Sequence, residues 1–127
     1  MVLADTDVMI DVLRRHSPAV KWMSAHERES LAIPGFVLLE LIQGCLDKRS
    51  QARVLEFAER CRVVWLSQAG FEKAVKLFAE HRLSSGLDMI DVLVGQTALD
   101  LGVPLATFNK KHYACIPGVE VHAPYER

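Results

Sequence analysis

A carboxylate set among apolar neighbours is costly to bury without a partner, and several acids of this chain sit in such surroundings. Glu40 lies between Leu39 and Leu41, while Asp91 is flanked by Ile90 and Val92, with Leu93 and Val94 following. Asp88 stands three residues before Asp91, which places both on one side of a helix. Asp5 and Asp7 come directly after the apolar run of residues 2–4, and Asn109 comes two residues after the run 104–107. A shared cation would reconcile these acids. Oxygen donors without cysteine or histidine partners suit a hard divalent ion such as Mg²⁺ or Mn²⁺, not zinc. No local motif joins the acids, so only the fold can gather them. Plainer readings stand beside this one: Asp5, Asp7 and Asp88 as helix caps, Glu40 as a solvated edge or an arginine's partner, Asn109 as a turn residue.

Alternating strands and helices would do the positioning. Residues 2–4 form a strand, stopped by Asp5-Thr6-Asp7; Val8, Ile10, Val12 and Leu13 then give a helix whose polar face holds Asp11, Arg14 and Arg15. Ser17-Pro18 fits an N-cap and first-turn proline. Strands follow at 31–33, 63–66, 104–107 and 119–121. Helices are expected from Pro34 to Gly44, over 48–60, after a Ser67 cap, and over 88–101 with Gly102 as its stop. Strand alternating with helix means a parallel sheet covered on both faces, and in such a sheet ligands bind beyond the carboxyl ends of the strands. Asp5, Asp7 and Asn109 fall at that edge. Asp11, Asp47 and Asp100 read as ordinary solvated acids, and the five histidines as surface residues.

Composition narrows the function classes. The 127 residues fit one domain, 1–127, with half of them apolar and 24% charged. The 15 Lys+Arg against 16 Asp+Glu give a net charge of −1, so any nucleic-acid contact must rest on a local patch and not on a basic excess. No apolar stretch approaches the ~18 residues of a membrane span, and no basic-then-apolar leader opens the chain. Cys45, Cys61 and Cys115 are odd in number and lack metal-ligand spacing, which points to a reduced, cytoplasmic setting. There is no Gly-rich phosphate loop and no G-x-S-x-G.

Four segments carry a family resemblance. V-L-A-D-T-D-V-M-I-D-V-L-R-R near the start, V-L-L-E-L-I-Q-G, I-D-V-L-V-G-Q-T-A-L-D-L-G-V-P-L-A-T-F-N-K-K-H-Y and I-P-G-V-E-V occur in that order. Together they resemble the PIN-domain, VapC-type toxin ribonucleases of bacterial toxin–antitoxin pairs, over nearly the whole chain. The resemblance implies an α/β/α fold around a parallel sheet of four or five strands. It implies a Mg²⁺-dependent ribonuclease, with Mn²⁺ as an alternative ion, that cleaves structured RNA of the tRNA or rRNA class through a metal-activated water and leaves 5′-phosphate and 3′-hydroxyl ends. The catalytic positions fall on Asp5, Glu40, Asp91 and Asn109. The first three are the metal ligands, and a neutral Asn109 where many relatives carry aspartate weakens a second ion site. Thr6, Asp7, Asp88 and Thr107 fall on supporting positions. Arg14, Arg15, Lys110 and Lys111 are candidate RNA contacts, of which the lysines adjoin the site. A VapB-type antitoxin, bound in an apolar groove near the second and third helices, and a homodimer are also implied; Trp22, Met23, Phe36, Leu38 and Leu39 are candidates for such surfaces. Two rival readings stay open. D-T-D after a first strand is similar to haloacid-dehalogenase-type phosphatases, and Asn109 is compatible with a catalytically degenerate PIN-like module that binds RNA or protein without cutting.

Overall fold

Three consecutive apolar residues make strand β1 (Val2–Ala4), and its position explains why none of them is polar. In the computed structural model, which describes residues 1–127, β1 is the central strand of a five-stranded, all-parallel sheet of order β3-β2-β1-β4-β5. Leu3 pairs with Ala32 on β2 (Leu31–Pro34) and with Leu105 on β4 (Leu105–Ala106). A parallel strand covered on both faces has no side to give to water, and Leu3, Ala4, Ala32, Ile33 and Leu105 are buried. The outer strands are β3 (Arg62–Val64) and β5 (Val121–His122).

Helices α1 (Thr6–Leu13), α2 (Ser17–Ser24), α3 (Gly35–Gln43), α4 (Lys48–Glu59), α5 (Gln68–Ser85), α6 (Met89–Leu101) and α7 (Lys110–Tyr113) fill the connections, with a 3₁₀ turn at Arg28–Ser30. Their boundaries follow local chemistry. The Asp47 carboxylate accepts the Ser50 N–H in a capping box, Ser67 caps α5, and Asp88 caps α6. Gly86 and Gly102 end α5 and α6 at φ 68° and 65°, the left-handed region that a Cβ disfavours. α1 packs on α2 and α3, and α5 on α6. Val8, Met9, Val37, Val92, Val94 and Tyr113 join the strands in one core.

The expected five-stranded parallel architecture is present, with local shifts. His16, not Ser17, is the N-cap of α2, and Pro18 lies in its first turn. The last strand begins at Val121 because Gly118, at φ 87°, turns the chain first. The third ends at Val64, leaving Trp65 57% exposed and edge-on to Phe36. Gly35 is fixed by that ring, since a Cβ there would overlap Trp65. Asp11 corrects the reading of a solvated acid: it is buried on α1. Phe36 is likewise core instead of surface.

Candidate active site

The strand order reverses at β1, with β2 and β3 on one side of it and β4 and β5 on the other; in a parallel sheet the ligand crevice lies at such a switch point. Asp5 occupies it. The residue caps α1, its Oδ1 accepting the Thr6 N–H at 2.8 Å, while its own N–H donates to the Ala106 carbonyl at 2.9 Å. Oδ2 accepts two hydroxyls, Thr107 Oγ1 and Tyr113 Oη, each at 2.8 Å. With 4% of the residue exposed, burial pushes the Asp5 carboxyl up; the three hydrogen bonds oppose this and the Glu40 charge adds to it.

Thr6 and Thr107 act as braces. Thr6 Oγ1 donates to Glu40 Oε1 at 2.6 Å, tying α3 to the start of α1. Glu40's partner is thus a hydroxyl and not an arginine. Asp7, one residue inside α1, accepts the Val8 N–H and the Phe108 N–H, both at 2.8 Å. It links α1 to the loop after β4. Burial raises its carboxyl, the Phe108 bond opposes, and the nearby Asp5 charge adds to the rise. The Asn109 N–H donates to Thr107 Oγ1 at 3.0 Å; its side chain is exposed and makes no bond within the chain, leaving its amide free toward solvent.

Asp91 lies in the first turn of α6 and meets His112 Nδ1 at 3.1 Å. Burial raises its pKa to about 6; His112 opposes the rise, and the charges of Asp5, Asp88 and Glu40 reinforce it. Asp88 is exposed and caps α6 through the Ile90 N–H. The acids from α1, α3 and α6 therefore feel one another, yet no three acid, histidine or cysteine side chains stand in ligating array. Asp91 is turned to His112, Glu40 to Thr6, and Asp5 to its two hydroxyls. The donor chemistry nevertheless fits a hard divalent cation: carboxylate oxygens whose mutual repulsion such a charge would relieve. Asp91 would have to exchange His112 for it.

Lys110 and Lys111 open α7 beside Asn109 and are exposed. Arg14 and Arg15 lie at the other end of α1 from Asp5, a helix of eight residues and so about 12 Å long. Two site residues escaped the sequence reading, Tyr113 and His112. Both ride on α7, a single four-residue turn too short for hydrophobic periodicity to register; the signal available was their place directly after Asn109-Lys110-Lys111.

Comparison with known proteins identifies the fold. The PIN domain family profile matches residues 2–115. Ribonuclease VapC19 of Mycobacterium tuberculosis is 29% identical over 133 aligned positions, covering 98% of this chain and all of that protein. Among solved structures, a toxin-antitoxin complex from Klebsiella pneumoniae superposes with a TM-score of 0.79 at 27% identity over the whole of both chains. VapBC2 from Rickettsia felis, bound to a DNA fragment from its promoter, gives 0.78 at 20% identity, with 96% of this chain and 98% of that one covered; at that identity the likeness speaks for the fold alone. The strand order, the crevice with its acids and the matched span lead to one assignment: the chain belongs to the PIN domain family and is similar, within it, to the VapC ribonucleases.

Proposed function

We propose that the chain is a divalent-metal-dependent endoribonuclease, the toxin of a toxin–antitoxin pair, which hydrolyses phosphodiester bonds in structured RNA of the tRNA or rRNA class. The observation that carries this reading is the buried Asp5 at the sheet's switch point, within the charge field of Glu40 and Asp91. Asp5, Glu40 and Asp91 would hold Mg²⁺ or Mn²⁺, which when bound makes water a nucleophile near neutral pH and offsets phosphoryl charge. Thr107 and Tyr113 oppose the rise that burial gives the Asp5 carboxyl and fix its direction, and Thr6 fixes the direction of Glu40. The free Asn109 amide would donate to a phosphate oxygen. Lys110 and Lys111 draw the RNA backbone to the crevice, while Arg14 and Arg15 meet it farther along. With both Asp5 oxygens taken by hydrogen bonds, this carboxylate suits a held ligand better than the attacking nucleophile of a phosphatase.

The toxin–antitoxin complexes among the structural relatives support a VapB-type antitoxin as partner. A cavity of about 380 Å³ between α1, α3 and α4 has Ile10, Leu13, Leu41 and Val54 in its wall and Glu40, Arg14 and Arg53 around it. An amphipathic helix is the natural occupant of an apolar groove with charged edges. A homodimer and a cytoplasmic setting complete the proposal; no helix is long and apolar enough to cross a membrane.

The test is cleavage of bulk tRNA and rRNA by the purified chain with Mg²⁺, with Mn²⁺ and with chelator, beside Asp5→Asn and Asp91→Asn, followed by mapping of new 5′ ends. Metal-dependent cuts that vanish in folded Asp5→Asn support the reading. RNA left intact at high protein and metal concentration would make the chain a binding module, and a phosphoryl group trapped on Asp5 would make it a phosphatase.

A further inference from the structure

Asp11 is a buried carboxylate for which the proposed reaction has no use. It lies one turn beyond Asp7 on α1, with 7% of the residue exposed. Both of its oxygens are taken by the last residues of the chain: Tyr125 Oη donates to Oδ2 at 2.7 Å, and the Arg127 guanidinium donates to Oδ1 at 3.1 Å. The same two side chains also grip Phe108. The Tyr125 ring meets the Phe108 ring edge-on, with centroids 5.0 Å apart, and the Arg127 guanidinium carbon lies 4.8 Å from the Phe108 centroid. The His16 and Trp22 rings stand 6.0 and 6.4 Å from Tyr125 on its other contacts.

Phe108 is the hinge of this arrangement. It sits between Thr107, which holds Asp5, and Asn109, and its own N–H is bonded to Asp7. The segment after β5 therefore touches both α1 and the β4–α7 loop, the two elements that supply Asp5, Asp7 and Asn109. We propose that Tyr125, Arg127 and Asp11 form a C-terminal latch that fixes this loop against α1, and that they are positioning residues for the reaction at the crevice. The latch acts through Phe108. Its kinetic consequence rests on the nuclease reading above; its structural consequence does not.

Tyr125→Phe and Asp11→Asn each remove one bond of the latch and little volume, and Glu126→Gln, on the exposed neighbour in the same segment, is the control. Amide hydrogen exchange of the full-length variants reads the latch directly. Loss of one hydrogen bond to a carboxylate should speed exchange of the Phe108 amide about tenfold, with Glu126→Gln unchanged. In single-turnover cleavage of tRNA with Mg²⁺, both variants should lose about tenfold in kcat at unchanged KM, and the double variant should lose little more than either alone. Unaltered Phe108 exchange in both variants overturns the latch. So does a variant Arg127→Ala that raises KM with kcat intact, because Arg127 would then be gripping RNA instead of positioning the loop. Should wild type cut no RNA while Phe108 exchange still responds, the nuclease reading fails and the latch stands.

Discussion

Replacing Asp91 by asparagine should make the metal-free protein more stable at alkaline pH, although it removes a carboxylate proposed to hold the metal. Burial, with Asp5, Asp88 and Glu40 nearby, holds the Asp91 carboxyl at about 6 against an ordinary 3.8, even with His112 beside it. A carboxyl with a higher pKa folded than unfolded favours the fold while protonated. That contribution is complete below about 3.8 and is lost as pH rises through about 6. The full gap corresponds to about 3 kcal/mol. The Asp91 side chain keeps 19% of its surface in solvent, and screening there brings the figure down to about 1–2 kcal/mol. Asparagine cannot ionise. Urea melts without metal should therefore place Asp91→Asn above wild type by about 1–2 kcal/mol at pH 8, the difference closing toward pH 4. Mg²⁺ at ten times its dissociation constant should add about 1.4 kcal/mol to wild type and much less to the variant. An Asp91→Asn protein less stable than wild type at pH 8, or a difference that ignores pH, would refute the account of Asp91 as a carboxylate held against repulsion; its pairing with His112 would then dominate.

Tyr113→Phe takes one of two hydroxyls from Asp5 Oδ2 and should cost about 1.5–3 kcal/mol in denaturant melts; full stability would mean that water replaces the phenol at no cost. Gly35→Ala drives a methyl into the Trp65 ring. The half-exposed indole can swing outward, so a loss of about 1 kcal/mol with a red-shifted tryptophan emission is expected, and an unshifted spectrum would contradict the overlap. Burial raises the Asp11 carboxyl, but the Tyr125 and Arg127 bonds outweigh it and hold the pKa below 3.8. Its stabilisation is thus present above the ordinary carboxylate value and lost as pH falls through the lower folded one. Asp11→Asn should accordingly be about 1–2 kcal/mol less stable than wild type at pH 7, converging with it in acid; a pH-independent difference would sink this.

Strands and caps were legible because their causes are local. Val2-Leu3-Ala4 reads as a strand buried on both faces, and Ser67, Asp88 and Gly102 punctuate helices as their chemistry requires. Glu40 stood out for the same reason, being the one charge inside an apolar helix. What could not be read depends on residues far apart in the chain. Asp11 sits on the polar face of an amphipathic helix and is buried only because the chain's last residues return to cover it. Tyr113 owes its role to the register between β1 and β4, which brings α7 over Asp5. His112 reads as a surface residue and is one, with 56% of its side chain exposed; its meeting with Asp91 comes from the packing of α7 on α6. Arg14 and Arg15 show the reverse: next to the first acids in sequence, they are carried a helix length away from Asp5.

The bond from Thr107 to Asp5 spans 102 positions, and this sets a clock on the protein's birth. At about 5–20 residues per second on the ribosome, roughly 5–20 s separate the making of the first acid from that of its brace. Until then β1 emerges as the middle strand of a sheet with one flank still unwritten. Any chemistry the crevice performs therefore waits for the strand that carries Thr107, however early the first acids are made.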